Sequence, residues 1–285
     1  MSLPCLLPHF DSVLVAGADA RTFLQGQLSL DMTRLTPARM ELATCNSAQG
    51  RVQAIVWMVE RADGIALIVP TELREALISR LRKYVLRAKV TFATNALIVA
   101  GTSDTGDLGA QRVHKQTGSI SRVRWPGDEP RALLLLPAGQ QVNLDEERAQ
   151  AWRLEDIRAG LPQIFTQTHE AFVAQMLNAD LLEGISFEKG CYTGQEIIAR
   201  AHFRGTVKRR MFRFGADCVP PAPGSRVISE DASHAGDVVA AEASGTGCEL
   251  LAVINLAQRD AALRIDGVPE GTLRKLPLPY EVTSE

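Results

Sequence analysis

The sequence predicts an α+β protein that ends in an all-β part, and three patterns carry the prediction. Residues 40–46, 51–60 and 64–70 form consecutive β-type runs, with Asp63-Gly64 as a hairpin turn between the last two. Residues 71–88 place Leu73, Leu77, Leu81, Tyr84 and Val85 on one face of a helix. After about residue 215 the helical period disappears. Pro220, Pro221, Pro223 and Gly224 open a stretch of short β-type runs separated by glycine turns.

The elements follow in order. Residues 12–17 read as a strand, and Asp19 as the N-cap of a helix with Phe23, Leu24 and Leu28 on one side. The three strands come next, then the helix over 71–88 with Thr71 as its cap. Strand-like stretches recur at 89–94 and 96–100. Gly106, Gly109 and Gly118 loosen the chain before strands near 119–125 and 131–136. A helix begins near Asp145, carries Ala149, Trp152 and Ile157 on one stripe, and stops at Gly160-Leu161-Pro162. Phe172, Met176 and Leu177 suggest a short helix, and residues 191–201 another. The runs at 225–229, 237–243, 249–255 and 272–276 read as a small barrel or sandwich.

Bulk properties narrow the class. The 285 residues suit one large domain or two to three small ones, with 46% hydrophobic and 22% charged residues, the balance of a soluble globular chain. A net charge of −2 points to neither nucleic acid nor membrane, so any basic site is local. The opening MSLPCLLPHF lacks the basic start and long apolar stretch of a signal peptide. No run approaches the roughly 18 apolar residues of a membrane span. The five cysteines (Cys5, Cys45, Cys191, Cys218 and Cys248) include no C-x-x-C pair. Free thiols in a reducing, cytoplasmic setting are expected, and no stable metal site.

The unusual segment is Lys189-Gly190-Cys191-Tyr192-Thr193-Gly194-Gln195-Glu196. Gly190 and Gly194 permit positive φ, which sets Cys191 on a tight turn at or before a helix start. A helix N-terminus and a neighbouring lysine both favour a thiolate, so Lys189 reads as the electrostatic partner of Cys191. Thr193, Gln195 and Glu196 add groups able to hydrogen-bond a polar heterocycle. A buried, inert cysteine is the plain alternative. A Cys–His dyad with His169 or His202 has no support in the spacing. His114 and His234 are isolated and expected at the surface. Residues 200–213 hold Arg200, Arg204, Lys208, Arg209, Arg210 and Arg213 with no acid. This stripe suits ligand carboxylates, nucleic-acid phosphates, or a solvated strand edge.

The same segment, followed by Ala199-Arg200 and by Phe203-Arg204-Gly205-Thr206-Val207-Lys208-Arg209-Arg210, resembles the signature of the YgfZ family. These are folate-binding proteins similar to the glycine-cleavage T-protein, an aminomethyltransferase. Further segments agree: Gly17-Ala18-Asp19-Ala20 with Phe23-Leu24-Gln25-Gly26-Gln27 and Asp31; Cys45-Asn46-Ser47-Ala48-Gln49-Gly50-Arg51; Leu81 to Val90; and Asp156-Ile157-Arg158-Ala159-Gly160-Leu161-Pro162. The resemblance spans residues 12–214. It implies three units in a ring around a central channel: a discontinuous α+β unit over 1–44 and 112–205, a second over 45–111, and a C-terminal β-barrel over 206–285.

It further implies a role in assembly or repair of iron–sulfur enzymes, one of which thiolates tRNA. Cys191 would be the acting residue, with Lys189 beside it. Gly190, Tyr192, Gly194, Gln195, Glu196, Arg200 and Arg204 become folate-contact candidates. The implied cofactor is tetrahydrofolate or another folate, and the implied partners are iron–sulfur enzymes or their assembly proteins. The chain is expected to be a monomer without direct tRNA contact. Two departures stand out. T-proteins carry an aspartate in the strand that corresponds to Val52-Gln53-Ala54-Ile55-Val56-Trp57, which has no carboxylate. Arg158 falls where relatives carry Glu. Aminomethyl transfer then lacks its obvious proton-handling group, and whether the protein turns over a substrate stays open. The alternatives are a tetrahydrofolate-dependent one-carbon transferase, with Glu196 in place of the aspartate, and a docking module for tRNA-modifying machinery.

Overall fold

The computed structural model describes residues 3–205 and 207–282. Thr206 of the signature run, and with it the expected boundary at 206, lies outside the described residues. The β-type runs of the N-terminal half assemble two antiparallel sheets. The middle sheet has the order Glu41–Asn46, Val52–Arg61, Gly64–Pro70, Phe10–Ala16, Thr91–Thr94. The first sheet has the order Cys5–Leu6, Leu97–Thr102, Ala132–Pro137, Ile120–Arg124, His114–Thr117. The strands at 5–6 and 114–117 carry no alternating apolar pattern and are visible only in the structure.

Two strand pairings span the positions at which unit boundaries were expected, 44/45 and 111/112. Phe10–Ala16 pairs with Gly64–Pro70, and Glu41–Asn46 with Val52–Arg61, so residues on both sides of 44/45 share one sheet. Leu97–Thr102 pairs with Ala132–Pro137 across 111/112.

Among the described residues, four α-helices complete the fold: α1 (Ala20–Gln27), α2 (Arg74–Arg82), α3 (Glu146–Arg158) and α4 (Gln195–Phe203). Asp19 precedes α1 without capping it, because its carboxylate accepts the Lys89 N–H at 2.7 Å. Helix α2 is shorter than the expected 71–88. Thr71–Leu73 form a 3-10 turn, and the Thr71 hydroxyl donates to the Pro8 carbonyl at 2.8 Å instead of capping. Past Leu81 the helix ends: Val85 still packs against the core, but Tyr84 and Leu86 are 48% and 88% exposed, and the chain leaves for the edge strand at 91–94. At the start of α3, Asp145 does accept from the Arg148 N–H.

The C-terminal part is a six-stranded antiparallel sheet in the order Leu263–Ile265, Arg226–Ser229, His234–Ser244, Gly247–Asn255, Arg209–Ala216, Arg274–Leu276. Phe212, Phe214, Val238, Leu250 and Ile254 give it its own apolar core. A second, larger core runs continuously through the other two sheets and includes Val239, Leu251 and Val253 of this one.

Helix α3 ties the three sheets together. Trp125 packs between Trp57 and Trp152, with ring centroids at 5.1 and 6.0 Å. Its indole N–H donates to Asp156 at 2.8 Å, and Asp156 pairs with buried Arg131 at 2.7 Å. Burial pushes the Asp156 carboxyl up from its ordinary value, against the pull of Arg131. Towards the C-terminal sheet, Arg153 reaches Glu242 at 2.8 Å and Arg158 reaches Glu249 at 2.7 Å. Arg158 therefore holds two units together at this position. Among the described residues, no helix is long and apolar enough to cross a membrane.

Candidate functional site

Residues 185–194 form an irregular loop that leads into α4, and Lys189 anchors it. Its ammonium donates to the carbonyls of Gln25, Leu28 and Leu30 at 2.6, 2.8 and 2.7 Å. These carbonyls lie at and just beyond the C-terminus of α1, where a helix leaves acceptors unpaired and favours a cation. All three N–H groups of the lysine are thereby used, and the Tyr192 ring lies 5.0 Å from the ammonium. Burial lowers the Lys189 pKa to about 8, opposed by the Asp31 carboxylate. Lys189 thus ties the loop to α1, and its hydrogen bonds are directed away from the adjacent thiol.

Gly194 fixes the other end of the loop. Its φ is +82°, and a Cβ here would lie 2.5 Å from the Ser47 carbonyl oxygen and 3.0 Å from the Gly50 Cα. Only glycine admits this approach. The turn at 46–50 and the entry to α4 therefore touch through their backbones. Arg80 of α2 donates to the Asn46 carbonyl at 2.9 Å, and Gln175 donates to the Ile198 carbonyl of α4 at 2.7 Å. Three of the segments that resembled the family (23–27, 45–51 and 189–196) meet at this point.

Within the loop, the Gln195 side chain accepts from the Tyr192 N–H and donates to the Lys189 carbonyl, both at 3.3 Å. Tyr192 is buried, and burial raises its phenol above the usual value. Lys189, Tyr192, Gly194 and Gln195 thus hold the loop's shape. Cys191 is the residue the shape displays: it is exposed, whereas Cys5, Cys45, Cys218 and Cys248 are buried. Gly190 is exposed beside it. Helix α4 starts at Gln195, four residues after Cys191, so the thiol does not sit on the helix N-terminus that was expected at 191.

Glu196, Arg200 and Arg204 lie exposed along α4. The basic stripe splits in two. Arg210 is buried and paired with Asp180 at 2.6 Å, Arg213 pairs with Glu249 at 2.5 Å, and Arg209 lies 3.8 Å from Asp237. Arg200, Arg204 and Lys208 have no ion pair among the described residues. Of the two histidines expected isolated at the surface, His234 is exposed but paired, and His114 is not exposed. His114 is buried and its Nδ1 lies 2.7 Å from the Pro37 carbonyl, while His234 pairs with Asp237 at 3.0 Å.

A second place has features the sequence did not signal. An apolar slot of about 60 Å³ is lined by His9, Pro70, Asp156, Leu161, Gln163 and Phe165. Both ring nitrogens of His9 and the amide oxygen of Gln163 are buried there without partners. Burial, with Arg153 and Arg131 nearby, lowers the His9 pKa to about 3, which leaves its ring neutral. The Arg153–Glu242 pair belongs to the same wall. Across the strand that lacks the T-protein aspartate, Gln53 donates to the Glu170 carboxylate at 2.7 Å. Among the described residues no cluster of three or more His, Cys, Asp or Glu is placed to hold a metal.

No family model matches the chain. The chain is 31% identical to the "tRNA-modifying protein YgfZ" of Yersinia enterocolitica, over 99% of this chain and 94% of that protein. The protein of the same name from Klebsiella pneumoniae is also 31% identical, over 98% and 94%. An uncharacterised protein of Haemophilus influenzae is 34% identical over 73% of this chain and 71% of its own length. Among solved structures, glycine cleavage system aminomethyltransferase T from Bartonella henselae superposes with a TM-score of 0.73 at 13% identity, covering 98% of this chain and 86% of that one. The fold is that of the T-protein.

Proposed function

The chain belongs to the YgfZ family, and on that premise we propose that it is a folate-binding accessory protein for assembly or repair of iron–sulfur enzymes that serve tRNA modification, acting through Cys191. The observation that carries this reading is the exposed thiol on a loop fastened at both ends, by Lys189 to α1 and by Gly194 to residues 46–50. A single thiol cannot complete an ordinary cluster site of about four thiolates, so Cys191 acts on groups held by a partner.

The slot at His9 and Gln163 supports the folate part of the reading. A pterin edge presents amino and ring N–H donors beside ring-nitrogen and carbonyl acceptors. A neutral histidine with two unpartnered nitrogens and an amide oxygen without a donor complement that pattern. At about 60 Å³ the slot is narrower than the few hundred Å³ of a usual ligand site, so entry requires Arg153 and Glu242 to part. The folate would supply a one-carbon carrier; His9 and Gln163 would orient it, and Pro70, Leu161 and Phe165 would exclude water.

Complementation of a deletion strain by Cys191→Ala tests the thiol role. Loss of iron–sulfur enzyme activity with an unchanged melting temperature supports it, and full rescue overturns it. Calorimetric titration of the pure protein with tetrahydrofolate tests the slot: His9→Leu should abolish binding that Cys191→Ala retains. The Gln53–Glu170 contact favours one second reading, a one-carbon transferase in which Glu170 replaces the missing aspartate. Turnover of an aminomethyl donor that Glu170→Gln abolishes would establish it.

A further inference from the structure

The outward face of α4 has the composition of a nucleic-acid surface. At 100° per residue, Phe203, Glu196, Arg200, Arg204 and Ile197 fall within an arc of about 120°, and all five are exposed. Ile198, on the opposite side, is completely buried and anchors the helix to the core. Phe203 is 66% exposed, unusual for a residue of its size. Its ring meets His202 edge-on at 4.7 Å and Phe187 at 6.1 Å, while His202 lies flat on Phe187 at 3.7 Å and 10°. An exposed histidine thus continues a stack whose inner member is Phe187.

Of the six basic residues in 200–213, Arg209, Arg210 and Arg213 face carboxylates, which leaves Arg200, Arg204 and Lys208 without an ion pair among the described residues. Arg200 and Arg204 lie one helical turn, about 6 Å, apart on one side of α4. Glu196 is the acid on this face and lies at the helix N-terminus, a further turn from Arg200. The overall charge of −2 had argued against nucleic acid. The structure sets Arg200 and Arg204, without ion pairs among the described residues, on the same face of α4 as exposed Phe203, with Lys208 four residues further along the chain, and cations beside an exposed aromatic ring are the combination single-stranded nucleic acid recognises.

We propose that this face binds unpaired RNA, such as a loop or end of tRNA, with phosphates on Arg200, Arg204 and Lys208 and a base stacked on Phe203, whose ring is braced edge-on by His202. An acidic protein surface would satisfy the cations but leave the exposed ring stack without a role, so RNA is the better fit. The proposal rests on the link to tRNA modification drawn above, and it uses neither the folate slot nor the thiol chemistry. Cys191 lies on the loop that leads directly into this face.

The test is fluorescence anisotropy of a labelled, unstructured 12-nucleotide RNA titrated with the full chain. Three phosphate contacts predict a salt slope of about −2, hence roughly 15-fold weaker binding at 200 mM than at 50 mM salt. Phe203→Ala should weaken binding about tenfold, and Phe203→Trp, which keeps a π face, should retain it. Arg200→Gln with Arg204→Gln should weaken binding further and flatten the salt slope. Melting temperatures of all variants should match the parent. Absence of binding, equal binding by Phe203→Ala, equal affinity for duplex DNA of the same length, or equally strong competition by polyglutamate would each overturn the proposal. The last outcome would identify an acidic protein partner instead. Loss of RNA binding in a variant that still titrates with tetrahydrofolate separates this site from the folate reading.

Discussion

Lys189 and Arg158 are two cations in signature segments, and each ties one part of the chain to another by a different kind of acceptor. Lys189 is buried and bonds three neutral backbone carbonyls. Arg158 is partly exposed and bonds carboxylates, Glu249 at 2.7 Å and Glu155 at 2.8 Å. The first tie has no acidic partner in contact to lose and is shielded from salt. The second depends on ionised carboxylates and is open to screening. The thiol loop is therefore held by the more robust of the two, and the C-terminal sheet by the more responsive.

This contrast is open to measurement, beginning with the largest effect. Lys189→Met leaves buried acceptors without donors and should cost about 3 kcal/mol, a fall of roughly 6–12 °C in melting temperature. A loss under 1 kcal/mol would mean that the ammonium is not the anchor. Arg158→Leu should cost about 1 kcal/mol, and the difference from the parent should shrink in 1 M salt while that for Lys189→Met persists. Acid should separate the ties next. Burial pushes Glu249 up, but hydrogen bonds from Arg158 and Arg213 outweigh it and hold its carboxyl below the ordinary value of 4.5. Its contribution is complete above that pH and is lost as the pH falls through the lowered value. Unfolding curves of the parent and Glu249→Gln should therefore stay apart above the ordinary carboxylate value and converge as the pH falls through the lowered one. The smallest effect belongs to Cys191→Ala, which should change stability by less than about 0.5 kcal/mol. In the native parent a maleimide should label one thiol of the five, since the other four are buried.

The central hairpin, α3 with its Asp145 cap, and the turn to an all-β C-terminal part could be read in advance, because period and turn chemistry are local properties. The length of α2 could not, since Tyr84, Val85 and Leu86 continue an apolar pattern of which only Val85 packs against the core. The segment around Cys191 stood out as chemistry, but the direction of its side chains did not. A lysine beside a cysteine in sequence carries a four-carbon stem that reaches in any direction, and this one reaches carbonyls more than 150 residues away. The basic stripe misled for the same reason: half of it faces carboxylates supplied by distant residues Asp180, Asp237 and Glu249. His9 and Gln163 gave no signal, because a polar atom without a partner is a property of its surroundings.

The Lys189 anchor also sets an order of events during synthesis. The carbonyls of Gln25, Leu28 and Leu30 leave the ribosome about 160 residues before the ammonium that satisfies them. Closing so long a segment is slow and comes late in folding. The nascent chain can complete the middle sheet while residues 189–194 are still unmade, so the exposed thiol takes its displayed position only once the body that carries it exists.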